Sequence, residues 1–117
     1  MKFLLLLFFL LPTMAHPAEN YSVDELLGTL TAYSASEDET DSTPRITASG
    51  KEVKEGYVAN NCLPFGTIVE INGVKFEVQD RKNKRYNCHW FDLFIDSKAE
   101  AKQFGIWYNQ KVKIYGK

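Results

Sequence analysis

Two aspartates are the residues best placed to do chemistry, because each lies on the apolar side of a predicted strand rather than in a polar turn. Asp80 ends the alternating, inward-facing row of segment 74–80, and Asp92 lies between Trp90 and Phe94. Carboxylates are rarely buried without a partner or a function. Burial against aromatic rings disfavours an ionised carboxyl group, so Asp92 is a candidate general acid of the kind that glycosidic-bond cleavage requires.

Structural roles are the alternative for both aspartates. Asp80 could cap the end of its strand or pair with Arg81 or Arg85, and Asp92 could anchor a neighbouring loop by accepting backbone N–H bonds. The sequence offers no Ser/His/Asp arrangement, no phosphate-binding glycine loop and no zinc ligand set. We therefore expect neither a metal nor a cofactor.

The N-terminus predicts export. Met1-Lys2 precedes an apolar run over residues 3–11, the pattern of a secretory signal peptide cleaved after Ala15 or Ala18. The run is shorter than the roughly 20 residues of a membrane-spanning helix. We expect residues 1–18 to be removed and the protein to be secreted, periplasmic or associated with a cell wall, with no stable membrane anchor.

Cysteine content and net charge limit the chemistry and the binding partners that the sequence allows. Cys62 and Cys88 are the two cysteines, and an even number in an exported chain favours one disulfide over two free thiols or a metal pair. A Cys62 nucleophile beside His89 would require the disulfide to be absent. The net charge of −1 gives no indication of nucleic-acid binding, and the basic run of residues 81–85 is typical of a solvated loop.

Short strands separated by turn residues predict a mainly β fold. Asn72-Gly73 between two β-prone runs indicates a hairpin with a type I′ turn. Segment 97–100 fits a helix capping box, and Gly105 is placed to end that helix. We predict a flexible arm over residues 19–28, followed by a six-stranded barrel with one short helix over residues 29–117.

Seven short pieces in register, covering residues 30–115, resemble the 3D domain family, which is named for three aspartates and is related to the catalytic barrel of membrane-bound lytic transglycosylase A. The pieces are Thr31-Ala32-Tyr33, Thr47-Ala48-Ser49-Gly50, Gly56-Tyr57-Val58-Ala59-Asn60, Leu63-Pro64-Phe65-Gly66-Thr67, Val78-Gln79-Asp80-Arg81, Phe91-Asp92-Leu93-Phe94 and Ala101-Lys102-Gln103-Phe104-Gly105.

The resemblance implies a double-psi β-barrel that acts on peptidoglycan. Asp92 matches the aspartate that serves as both acid and base in cleavage of the bond between N-acetylmuramic acid and N-acetylglucosamine. Asp80 matches the preceding aspartate, which would orient or polarise the site. The motif segments also imply substrate-binding residues, namely Tyr33, Thr47, Ser49 and Asn60.

Two departures from the family pattern bear on activity. Asn60 and Asn61 stand where the first of the three aspartates usually lies, although Asp41 could replace it in space. Segment 81–90 stands where the transglycosylases carry a glycine-rich loop.

A non-catalytic glycan-binding or wall-loosening module is the alternative, because segment 89–93 also resembles expansin-like and RlpA-like barrels. An interaction or inhibitor domain is a third possibility, since fold does not fix function.

Overall fold

A computed structural model describes residues 22–35 and 45–116. In these ranges six strands form a closed barrel in the order β1-β5-β2-β4-β3-β6, with one short helix. This confirms the prediction of a mainly β, six-stranded barrel with a single short helix. The signal peptide, its cleavage sites and Asp41 lie outside the described residues. The elements are β1 (Ser22–Tyr33), β2 (Tyr57–Ala59), β3 (Ile68–Ile71), β4 (Val74–Asp80), β5 (Trp90–Phe94), α1 (Lys98–Phe104) and β6 (Trp107–Gly116).

The barrel consists of two interleaved halves. The pairs β1–β5 and β2–β4 are parallel, and the other four neighbouring pairs are antiparallel. If β1 is exchanged with β4, β2 with β5 and β3 with β6, the same strands remain neighbours around the barrel, and each pair keeps its parallel or antiparallel direction. Closure leaves the barrel with no free sheet edge.

The first strand corrects one prediction. Residues 22–28, expected to belong to a flexible arm, are the first part of β1 and pair with β6 in antiparallel register. Past Gly28 the register with β6 shifts, and residues 29–33 run parallel to β5. A Cβ at Gly28 would lie 3.0 Å from the Phe91 ring and 3.1 Å from the His89 carbonyl oxygen, so a larger residue would push β1 away from β5.

Two local predictions are confirmed. Asn72 and Gly73 both have positive φ, 51° and 80°, and they join β3 to β4 with Ile71 opposite Val74. The Ser97 hydroxyl accepts the Glu100 N–H and begins α1. Gly105 follows the helix at φ 74°. None of the helices in the described part is long and apolar enough to cross a membrane.

Successive residues of a strand point alternately into the barrel and out of it. The interior is filled by aliphatic side chains and one phenyl ring, from Leu30, Val58, Val69, Ile71, Val78, Phe91, Leu93 and Val112. A second buried cluster lies on the outer face of β1, β5 and β2, and it consists of Tyr33, Val53, Tyr57, Ala59 and Phe94. Segment 45–53 contributes Val53 to this outer cluster, which lies beside the candidate site.

Candidate functional site

The two aspartates lie in one row across neighbouring strands. Thr31 on β1 is opposite Asp92 on β5, Asp92 is opposite Ala59 on β2, and Ala59 is opposite Asp80 on β4. Directly opposed residues point to the same face of a sheet. Ala59 belongs to the outer cluster, so the row lies on the outer surface of the barrel. Two strand spacings separate the aspartate backbones, about 10 Å.

A β-bulge places Asp80 on this face. Strict alternation along β4 predicted that Asp80 would point the same way as Val78, which is fully buried in the barrel interior. Between Val58 and Ala59 the register of β2 against β4 shifts, so Gln79 has no opposite residue. The extra residue turns the following side chain to the other face. The sequence-based assignment of Asp80 to the inward row was therefore wrong.

Asp80 is held by three donors. Its Oδ1 accepts the backbone N–H groups of Ala48 and Arg81, each at 2.9 Å, and its Oδ2 accepts the Tyr33 hydroxyl at 2.8 Å. A carboxylate engaged in this way joins β1, β4 and the turn at residues 47–50. Asp80 thus has the loop-anchoring role that was considered for Asp92, and it forms no ion pair with Arg81 or Arg85.

Asp92 has different partners. Its Oδ1 accepts the Thr31 hydroxyl at 2.8 Å, and its Oδ2 forms an ion pair with Lys82 Nζ at 3.0 Å. The side chains of Lys82 and Asp92 are 13% and 12% exposed, so the pair is largely shielded from water. Neither partner was among the predicted site residues. Thr31 is two residues before Tyr33 and therefore lies on the same face of β1. Because Tyr33 was a predicted site residue, this spacing in the sequence could have indicated Thr31 as well.

The phenol group of Tyr33 is subject to the negative charge of both aspartates. Burial, followed by the negative charge and hydrogen bond of Asp80 and the charge of Asp92, raises the pKa of the Tyr33 phenol far above its ordinary value. Its ring packs against Phe94 in an edge contact, with centroids 5.5 Å apart. Because Tyr33 is 7% exposed, its role is to donate a hydrogen bond to Asp80 rather than to present a surface to substrate.

Substitution of Tyr33 by Phe should reduce the sensitivity of the protein to alkali. The folded state keeps the Tyr33 proton above pH 10, whereas the unfolded state loses it near pH 10, so this contribution to stability is complete below pH 10 and falls above it. From pH 10 to pH 11 the wild type should lose about 1 kcal/mol more than Tyr33→Phe. Urea unfolding at both pH values measures this, and parallel losses would contradict it.

Two aromatic rings and a lysine border Asp92. The Tyr86 and Trp90 rings lie 4.8 Å apart, and Lys82 Nζ is 4.2 Å from the Tyr86 centroid and 5.8 Å from that of Trp90. The Arg85 guanidinium donates to the Tyr86 hydroxyl at 3.0 Å. That hydrogen bond, assisted by the positive charges of Lys82 and Arg85, lowers the pKa of Tyr86.

Asn60 is a structural residue rather than a substrate-binding one. Its side chain is fully buried and makes four hydrogen bonds. Nδ2 donates to the carbonyl oxygens of Cys88 and Trp90, and Oδ1 accepts the N–H groups of Cys62 and Leu63. This use of both amide groups corrects the predicted substrate contact.

Asn61 makes similar bonds to the β4–β5 loop, residues 81–89. Its Nδ2 donates to the carbonyl oxygens of Asn83 and Tyr86, and its Oδ1 accepts the Lys82 N–H. An aspartate at position 60 or 61 would have no N–H to donate. Both asparagines thus use amide N–H groups that an aspartate would lack.

Thr47 and Ser49, the other predicted substrate-binding residues, belong to the turn that contacts Asp80. The Thr47 and Ser49 hydroxyl groups lie 2.9 Å apart, and the buried Thr47 hydroxyl also accepts the Lys51 N–H. Between them, Ala48 directs its N–H at Asp80. The turn therefore positions Asp80, and Ser49 is the more accessible of its two hydroxyl residues.

The predicted disulfide between Cys62 and Cys88 is confirmed. It joins the segment after Asn60 to the β4–β5 loop, the same two segments that the asparagine side chains connect. The bond leaves no free thiol among the described residues, which excludes the alternative of a Cys62 nucleophile beside His89. The border of the Asp92 site is thus fixed covalently as well as by hydrogen bonds.

Removal of the disulfide should destabilise the fold measurably. The two cysteines are 26 residues apart in sequence, and closing a loop of that length in the unfolded chain corresponds to about 3.5 kcal/mol. We expect the Cys62→Ala/Cys88→Ala variant to lose about that much free energy of unfolding in urea titrations. A loss below about 1 kcal/mol would mean that the hydrogen bonds alone hold the two segments.

A separate cavity of about 690 Å³ lies on another part of the barrel surface. Its walls include the rings of Phe76 and Tyr115 and the charged residues Lys75 and Glu77, and it does not include either aspartate of the row. The described residues contain no group of three or more His, Cys, Asp or Glu side chains arranged to hold a metal ion.

Comparison with known proteins identifies no relative, since the chain matches no protein-family model, no curated protein and no solved structure. Function is therefore inferred from the geometry around Asp92.

Proposed function

We propose that this protein acts on cell-wall polysaccharide and cleaves the bond between N-acetylmuramic acid and N-acetylglucosamine in the manner of a lytic transglycosylase. The observation that carries the proposal is the different use of the two carboxylates. Asp80 is engaged by three internal donors, whereas Asp92 faces a lysine and two aromatic rings at the surface of the barrel. Of the two, Asp92 is therefore the aspartate that a ligand at the surface can reach by displacing Lys82, and it is the candidate for both acid and base.

In this mechanism the glycan displaces Lys82 from Oδ2, and Asp92 takes up a proton from solvent. Asp92 then gives that proton to the glycosidic oxygen while the bond from that oxygen to the muramyl C1 breaks. The muramyl 6-hydroxyl oxygen then bonds to C1, closing a 1,6-anhydro ring, and its proton returns to Asp92. Between the two transfers Asp92 is a carboxylate, the form that Lys82 and Thr31 stabilise by charge and by hydrogen bonding. Lys82 has to leave Oδ2 when the glycosidic oxygen approaches that atom.

The aromatic border supports a carbohydrate ligand. Sugar rings present C–H groups that pack on aromatic faces, and carbohydrate sites combine such apolar contact with a few polar groups that fix orientation. Tyr86 and Trp90 supply the rings beside Asp92, and both are partly exposed. The two-half topology of the barrel agrees with the double-psi arrangement that the family resemblance implies.

Export is part of the proposal. A disulfide is compatible with an oxidising compartment, and the polysaccharide of a cell wall lies outside the cytoplasm. The proposed site of action is therefore the periplasm, the wall or the external medium.

A second candidate function is a non-catalytic module that binds or loosens wall polysaccharide. The observation that favours it is the engagement of both Asp92 oxygens, one by Thr31 and one by Lys82. A carboxylate held this way could accept hydrogen bonds from sugar hydroxyl groups without transferring a proton.

The test is digestion of purified peptidoglycan by the mature protein, with mass spectrometry of the soluble products. Anhydromuropeptides, which are lighter by one water than the products of hydrolysis, are expected from the proposed enzyme. Absence of soluble products, with the protein still sedimenting with the insoluble wall, would replace the proposed cleavage by the binding function.

A further inference from the structure

The β4–β5 loop carries four cationic residues and no aspartate or glutamate. Lys82 is paired with Asp92, and we call the other three, Arg81, Lys84 and Arg85, the basic rim. No carboxylate in the described part of the chain forms an ion pair with them. A chain with a net charge of −1 thus presents a local excess of positive charge beside its candidate site.

Two of the rim side chains are held in place by aromatic rings. The Arg81 guanidinium carbon lies 3.9 Å from the Phe65 centroid, and its Nη1 donates to the Asn60 carbonyl oxygen at 2.9 Å. The Arg85 guanidinium carbon lies 4.9 Å from the Tyr86 centroid. Arginine in such contacts keeps further N–H donors free for an incoming anion.

The backbone of the rim is also fixed. Asn61 bonds to three backbone groups of the loop, at Lys82, Asn83 and Tyr86, and the disulfide holds its far end at Cys88. The cations therefore lose less conformational entropy on binding than those of a freely moving loop. Residues 83–85 are exposed, as expected of a solvated loop, but the backbone that carries them is fixed.

We propose that the basic rim binds carboxylate groups carried by the polysaccharide at the Asp92 site, so that the protein prefers an acidic glycan to a neutral one. This inference rests on the proposed action on polysaccharide. A planar carboxylate matches the donor fork of a guanidinium group. Its single charge suits a rim beside the negative Asp92, whereas a nucleic-acid backbone would require a longer basic surface than one loop provides.

The experiment compares polygalacturonate with its fully methyl-esterified form, which has the same backbone without the charge. Binding to the full mature protein is measured by calorimetry at low salt. We expect the wild type to bind the charged form more tightly than the esterified form. The Lys84→Gln/Arg85→Gln variant should bind the charged form about tenfold more weakly than the wild type does, the effect of two exposed charge contacts. The esterified form should bind wild type and variant equally.

The matched control is Lys102→Gln/Lys111→Gln, which removes two exposed cations from α1 and β6. It should bind polygalacturonate like the wild type. Equal affinity for the charged and esterified forms, an equal loss in the control variant, or equally tight binding of a single-stranded DNA of similar charge would each overturn the proposed preference. If rim-dependent binding is found while peptidoglycan yields no anhydro products, the inference stands and the proposed cleavage fails.

Discussion

Substitution of Asp92 by Asn should reduce the rate of peptidoglycan cleavage by at least 10²-fold, within the range of about 10² to 10⁴ that a positioned acid or base contributes. Asparagine keeps the shape of the side chain and can still accept a hydrogen bond from Thr31 or Lys82, but its amide N–H is not acidic enough to protonate the glycosidic oxygen. Release of soluble products over time measures the rate, and sedimentation with the insoluble wall measures binding, which the variant should retain.

The matched control for this variant is Asp96→Asn, the same chemical change at an exposed position just after β5. It should leave both rate and binding unchanged. Cleavage by Asp92→Asn at the wild-type rate would remove Asp92 from the chemistry. If the wild type releases no products and Asp92→Asn loses binding to the wall, the non-catalytic module is favoured.

Substitution of Asn60 by Asp should lower the free energy of unfolding by roughly 3 to 5 kcal/mol, the cost typical of an uncompensated buried charge. The change removes the two N–H bonds to the Cys88 and Trp90 carbonyl oxygens and leaves a carboxyl group facing them at a position with 0% exposure. Urea unfolding at neutral pH, with the disulfide intact in both proteins, gives the difference.

Asn61→Asp is the control for Asn60→Asp, because it removes two similar bonds at a position that is only partly buried. Water can compensate there, so a cost of about 1 to 2 kcal/mol is expected. Equal costs for the two variants would show that burial does not distinguish the two amides. A cost below about 1 kcal/mol for Asn60→Asp would contradict the four-bond arrangement.

Local features were predictable because their causes lie within a few residues. Asn72-Gly73 can adopt the positive φ values of a tight turn, and Ser97 can cap a helix, whatever the rest of the chain does. The closed barrel also followed from many short strands in a chain of this size. These inferences needed no knowledge of which strands are neighbours.

The errors arose where structure depends on distant pairing. Residues 22–28 are polar enough to indicate an arm, and they form a strand because β6, more than 80 residues later, supplies its partner. The face of Asp80 depends on a bulge that exists only when β2 and β4 are paired. No pattern within β4 alone distinguishes the two orientations.

The site was predicted in part. The sequence drew attention to Asp80 and Asp92 as carboxylates in apolar strands, and the structure places them on one face. The sequence did not indicate that Lys82, one of four cations in the run 81–85, forms an ion pair with Asp92. That contact depends on how the β4–β5 loop is fixed by Asn61 and the disulfide. The predicted substrate role of Asn60 failed because its burial is a tertiary property.

The central claim, that polysaccharide binds beside Asp92, is tested most directly by nuclear magnetic resonance with the Asp92→Asn protein and a soluble peptidoglycan glycan fragment. The two indole N–H signals report on different places, since Trp90 borders the site and the Trp107 indole N–H is bonded to the Phe104 carbonyl oxygen. We predict that titration shifts the signals of Trp90 and Tyr86 and leaves that of Trp107 in place. Shifts confined to Phe76 and Tyr115, which line the separate cavity, would contradict the claim.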